Sequence, residues 1–523
     1  MSRRVRLAMA SAVLALAAAI AARAQGRGGS AWTTASGDAQ RTSWVKTDPK
    51  ISTASVEKAR FQFLWKSKLD NQAKQLNALT QPLLLPNIIS YKGFKALAFV
   101  GGSSDNVYSI DYDLSKTFWT RRLSVAATPP PAASLSCPGG LTTLTRSTPL
   151  PQPAPLPGAP PPGRGGGGGR GANQNVYALG SNGMAYGLNP QTGDDMAPPI
   201  KFLPPNAKAV GSILVDNVLY AATADNCGGA PNGVWAVDVA GEPKVPTFWG
   251  TKGGSVVGTA SPTLGTDGTV YVTTGDGDYS ALTYSDAVVS LEAKTLTLKD
   301  WFTPGKTPFI ASPVAFQYKG KDLIVTANAD GTLYVLDSAS LGGADHRTPL
   351  SRTATYTKGM ADFAPGALST WEGADGTRWV LVASGGPIPT ATTFPTPHGS
   401  VTNGSIVAFT LVDRNGTPTL EPGWVSRDML SPVPPAVVNG VVFAVSSGEY
   451  RTSDASVTAA QRAKRSKPAV LYALDATTGK ELWNSGNTIA SFVHAVGPSA
   501  GDSQVYVVTF DGTVYAFGIP LEH

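Results

Sequence analysis

Along most of the chain, apolar and polar positions alternate in short runs broken by Gly, Asp, Asn or Pro, the period-two pattern of strands with one buried face. The stretch VLYALDATTGKELW (470–483) shows the unit: an apolar strand, a polar turn, and a second strand ending in Trp. It recurs as NVYSIDYDLSKTFW (106–119), MAYGLNPQTGDDM (184–196), GVWAVDVAGEPKVPTFW (233–249), AVVSLEAKTLTLKDW (287–301), TLYVLDSASLGG (332–343), SIVAFTLVDRNGTPTLEPGW (405–424) and TVYAFGIP (513–520). Before most of these runs lies another alternating strand, as in VLYAATAD, TVYVTTGD, VVFAVSSGE and QVYVVTFDG. Asp and Gly recur at the reversals because an Asp carboxylate caps nearby amides and Gly accepts positive φ.

A single meander of this size cannot bury both of its faces, so neighbouring sheets must stack. Eight repeats therefore predict an all-β fold: an eight-bladed β-propeller of four-stranded antiparallel blades. The last repeat has no Trp strand after it, and FQFLW (Phe61–Trp65) supplies one from the N-terminal side. The ring is thus expected to close on the N-terminal strand. One insertion, at about 124–172, is rich in Pro and then in Gly, and is expected to extend from the body as a disordered loop.

Composition agrees with many short strands. Of 523 residues, 42% are apolar and 15% charged, and 57 Gly with 41 Pro are more than long helices tolerate. The start, MSRRVRLAMASAVLALAAAIAARAQG, has basic residues, an apolar run and Ala22-Arg23-Ala24, so residues 1–24 read as a signal peptide. That leaves 25–523 as one propeller, expected in the periplasm or secreted, with no transmembrane segment in the mature chain. Removing four Arg with the leader turns +6 into +2, which gives little support for nucleic-acid binding. The basic stretch AAQRAKRSK (Ala459–Lys467) reads as a solvated loop between strands. The two cysteines, Cys137 and Cys227, could form a disulfide after export, although sequence does not show that they meet. Four scattered His form no CxxCH or HExxH motif.

VLYALDATTGKELW resembles the repeat of the pyrroloquinoline-quinone (PQQ) propellers, which include quinoprotein alcohol dehydrogenases and a non-enzymatic scaffold of outer-membrane barrel assembly. AWTTASGDAQRTSWVKTDPKIS, near the start, is similar to the leading segment of those dehydrogenases. The resemblance implies a site with calcium held by Glu, Asn and Asp, PQQ between a Trp and an adjacent-Cys ring, and an Asp base. This sequence departs from most of these requirements. Asp225, Asn226 and Cys227 stand where the Glu is expected, and Asp276 where the Asn is. No carboxylate lies between Phe302 and Phe316, where base and metal ligand belong. Ala329 replaces the cofactor-contacting Lys, and the Cys pair is reduced to Cys137.

The expectation is therefore a binding or scaffold propeller with no catalytic residues of the standard type and no cofactor, meeting a protein or cell-envelope partner through its loop faces. One alternative is a divergent calcium- and PQQ-dependent alcohol or sugar dehydrogenase, with Asp276 and Asp278 of GDGD as metal candidates. The other is a glycan- or peptide-recognition module. Asp225, Asp362 and Glu449 are further acids at strand ends, read first as turn caps. His494, with no oriented nucleophile nearby in sequence, is read first as structural. Trp235, Trp301, Trp424 and Trp483 fall at repeat positions and are read as packing between blades.

Overall fold

The computed structural model describes residues 32–520 except 59, 91–92, 126–132, 152–173 and 278–282. Eight sheets follow one another along the chain, and the third strand of every sheet is one of the eight repeats. The blades run Leu83–Arg122, Leu144–Lys201, Lys208–Gly250, Thr263–Phe302, Val314–Arg352, Ser369–Val425, Ala436–Asn484 and Ser499–Gly518. Strand Gln62–Lys68 pairs antiparallel with Thr513–Gly518 and completes the eighth blade, so the ring closes as the sequence implies.

Alternation places Val, Ala, Leu and Tyr of the middle strands between blades, where most are fully buried. Three of the four repeat tryptophans make a hydrogen bond or a ring contact across a blade boundary. Trp424 donates its indole N–H to Ala476 O of the next blade at 3.0 Å, over Gly479, whose φ of +77° and proximity to the ring leave no space for a Cβ. Trp483 meets Phe61 and Phe517 edge-on, and Trp301 stacks on His346. Trp235 also packs on an apolar cluster shared by blades two and three, but its ring partner, Phe248, and its N–H acceptor, Thr223, belong to its own blade.

Two features shape the channel. Residues 133–151 fall within the insertion expected to be disordered, yet Leu144–Arg146 is the innermost strand of the second blade, buried throughout. Thr143–Arg146 pack inward because they carry the alternating pattern that the flanking prolines conceal. Cys137 is joined to Cys227, with Cα atoms 5.4 Å apart, which ties this insertion to the third blade.

The second feature, unforeseen from the sequence, is the segment 32–45, which crosses the axis. Carbonyls of Trp32, Thr33, Ala39, Gln40, Thr42 and Ser43 accept from Leu84, Arg146, Leu264, Ala315, Thr370 and Val437, each on a different blade's inner strand. Thr34 donates to Ser212 O of the third blade, and Gln81 links Ser36 to Gly497 O and Pro498 O beside the eighth. At the centre Arg41 is fully buried, donating to Pro262 O, Ala35 O, Ser212 O and Thr34 Oγ1. One end of the channel is plugged by the chain's own backbone.

Candidate functional site

Beside the plug lies a small void of about 40 Å³, and next to it, sharing Val210 and Thr259 as walls, a cavity of about 430 Å³. Its walls are the loops that lead into inner strands (255–259, 309–310, 361–366, 494–495) and those that leave second strands (224–225, 449–452). Gly258, at φ +95°, lies on this wall where a Cβ would strike Ser312. Three acids picked out separately by sequence, Asp225, Asp362 and Glu449, converge here with His494.

Glu449 is the anchor. Strand Val441–Ser446 ends and Gly448, at φ +73°, turns the chain so that the Glu449 side chain points inward, fully buried. Its carboxylate receives Arg451 Nε at 3.1 Å, Arg462 Nη2 at 2.9 Å and His494 Nδ1 at 3.0 Å. Burial alone would push this carboxyl up, but His494 and the two guanidinium groups overturn that and hold it at about 2. Arg462 comes from helix Ala459–Arg465, whose N-terminus is a capping box between Thr458 and Gln461. The basic stretch read as a solvated loop is thus partly wrong: Lys464 and Arg465 face solvent, whereas Arg462 is turned into the cavity by the helix.

Across the cavity, Asp225 takes Lys208 Nζ at 2.6 Å and Ser255 Oγ at 3.0 Å. Asp362 sits on the exposed rim, where the Ser453 side chain and then the Ser453 amide hold it below the usual carboxylate range. The disulfide lies beside Asp225, whose carbonyl is 3.8 Å from Cys137 Sγ.

The metal candidates are placed differently. Asp276 is exposed on a bend and does not line the cavity; Asp278 lies outside the described residues. Next to Asp276 is Asp286, missed by the sequence reading; burial, with the Asp276 charge added, pushes it up to about 6. Among the described residues no three His, Cys, Asp or Glu side chains are arranged to hold a metal ion.

No family model matches the sequence, and no curated protein matches it. Solved structures do match by shape. Quinohemoprotein alcohol dehydrogenase from Comamonas testosteroni superposes with a TM-score of 0.56 at 14% identity, over 94% of this chain and 81% of that one. The chain shares its fold with quinoprotein alcohol dehydrogenases. A europium-containing methanol dehydrogenase gives 0.55 at 10% identity, over 94% and 98%. BamB from Moraxella catarrhalis gives 0.48 at 12%, over 88% and 99%, too loose a likeness to carry an argument.

The fold thus raises calcium and PQQ, and the residues present do not fit them. Calcium needs about six to eight oxygens, yet Asp225 is neutralised by Lys208 and Glu449 by three basic groups. The cavity wall has Phe309 but no Trp to stack on a tricyclic quinone. Nor is there an adjacent-Cys ring, since Cys137 is committed to Cys227.

Proposed function

We propose that the protein is an exported binding propeller that takes its ligand or partner at the open, loop-lined end of the channel, without calcium- and PQQ-dependent dehydrogenase chemistry. The observation that carries this reading is the pairing of the cavity's acids. Glu449 and Asp225 already have counter-charges within the protein, and the cavity's third acid, Asp362, is exposed on the rim and bonded by Ser453, so neither of the two inner carboxylates is left as a base or as a metal ligand. What remains is a concave, rigid wall of about 430 Å³ capacity, within the range of small-molecule sites. The plug makes it a blind pocket, so a ligand must enter and leave by the same face.

The test is calorimetric titration of the mature chain with PQQ, with and without calcium. The reading expects no saturable uptake in either condition. Tight uptake that requires calcium, and is weakened in Asp276→Ala, would replace it with the dehydrogenase alternative.

A further inference from the structure

The ligand class can be narrowed, on the premise that the open cavity is the binding site. Arg451 and Arg462 reach Glu449 from two sides, and each uses only part of its guanidinium there. Arg451 places Nε on Glu449 and Nη1 on the Ala364 carbonyl; Arg462 places Nε on the Tyr450 carbonyl and Nη2 on Glu449. A guanidinium has five N–H donors in a fixed fork. Arg451 Nη2 and Arg462 Nη1 therefore keep donors with no partner among the described residues. His494 commits Nδ1 to Glu449, which fixes the ring and leaves Nε2 as its second polar atom.

The charge arrangement next to Glu449 points the same way. Two guanidinium groups face one buried carboxylate there, while Asp362, a further acid lining the cavity, is exposed on the rim; all three basic side chains line the cavity. Their exposures of 12%, 14% and 24% keep them partly dehydrated, where charge-assisted bonds are stronger than at an open surface. The opposite wall supplies no competing excess: Lys208 and Asp225 cancel. Asp362, on the rim, has its Oδ1 on the Ser453 amide.

We propose that Arg451, Arg462 and His494 form an oxyanion site, held in place by Glu449, that binds the phosphate or carboxylate end of a small organic ligand. Arg forks match the paired oxygens of both groups, which a Lys point charge does not. The cavity is several times larger than a bare oxyanion, so the rest of the ligand lies against Val257, Phe309 and Ile310.

The test uses the full mature chain, titrated with inorganic phosphate and, separately, with succinate to about 10 mM at constant ionic strength, chloride serving as control. Binding is read from calorimetry and from imidazole NMR signals; the chain has only four His, so His494→Gln assigns its signal by loss. The expected result is a saturable shift of the His494 signal by at least one anion, with affinity lowered about tenfold or more in His494→Gln and Arg462→Gln. Lys208→Gln should change it by less than roughly threefold. The tighter anion identifies the ligand's charged group. If Arg462→Gln does not fold, the wild-type shift and His494→Gln still decide. No saturable shift with either anion, or equal affinity in wild type and His494→Gln, overturns the assignment, as does a larger loss in Lys208→Gln. Absence of both anion and PQQ uptake sinks this assignment alone, whereas calcium-dependent PQQ uptake sinks the binding reading beneath it.

Discussion

The two ends of the channel each bury arginine, and they treat it differently. At the plugged end Arg41 spends its donors on three carbonyls and one hydroxyl, and burial pulls its pKa down to about 9, partly offset by Asp38. Four of its five N–H donors are used, and Arg41 lines neither the 40 Å³ void nor the larger cavity. At the open end Arg451 and Arg462 share one carboxylate, and donors remain that face a space ten times larger. A nearly complete set of bonds locks a structure, while one with most of its donors spare and a cavity beside it invites a ligand. The comparison assigns stability to segment 32–45 and recognition to the loops around Glu449.

The largest effect that could break this comparison is at the plug. Arg41→Ala leaves several buried acceptors unpaired and should cost about 4 kcal/mol of unfolding free energy in urea titration. A loss under about 1 kcal/mol would mean that the segment is only draped across the channel. Next is the bridge between Cys137 and Cys227, which closes a loop of sequence separation 90. Replacing both by Ser should cost about 2–4 kcal/mol, the usual worth of a native bridge.

At the open end the Glu449 cluster predicts a pH effect. Its folded pKa of about 2 lies below the ordinary 4.5, so its stabilisation is complete above pH 4.5 and is lost as pH falls towards 2. Wild type should exceed Glu449→Gln by about 3 kcal/mol at pH 6, with the gap closing below pH 3. An unchanged gap would mean that the carboxylate is not held by the three basic groups. The smallest effect concerns Asp286, which has the opposite sign. Its folded pKa of about 6 lies above the ordinary 3.8, so its share of stability is present below pH 3.8 and is lost as pH rises through 6. Asp286→Asn should gain roughly 1–2 kcal/mol at pH 7, and Asp276→Asn part of that.

The blades were legible because their strands carry a period-two pattern, and the closing strand because FQFLW shares it. The plug was not, since WTTASGDAQRTSW has no apolar period; its path is dictated by carbonyl bonds to six separate blades. Leu144–Arg146 was hidden by the Pro and Gly around it. Asp225, Asp362, Glu449 and His494 were visible one by one, but only the ring brings blades three, six, seven and eight to one cavity. Arg451 and Arg462 were missed; the T-A-A-Q capping box at Thr458–Gln461 was the available signal that a helix would turn Arg462 inward.

The most direct test of the division between the two ends is a paired measurement of urea stability and phosphate affinity in Arg41→Lys and His494→Gln. The account predicts that Arg41→Lys loses about 2 kcal/mol of stability with affinity unchanged within roughly twofold, and that His494→Gln loses about tenfold in affinity with stability within about 1 kcal/mol of wild type. If both substitutions changed the two quantities together, or if Arg41→Lys were the one that weakened anion binding, the division would be wrong.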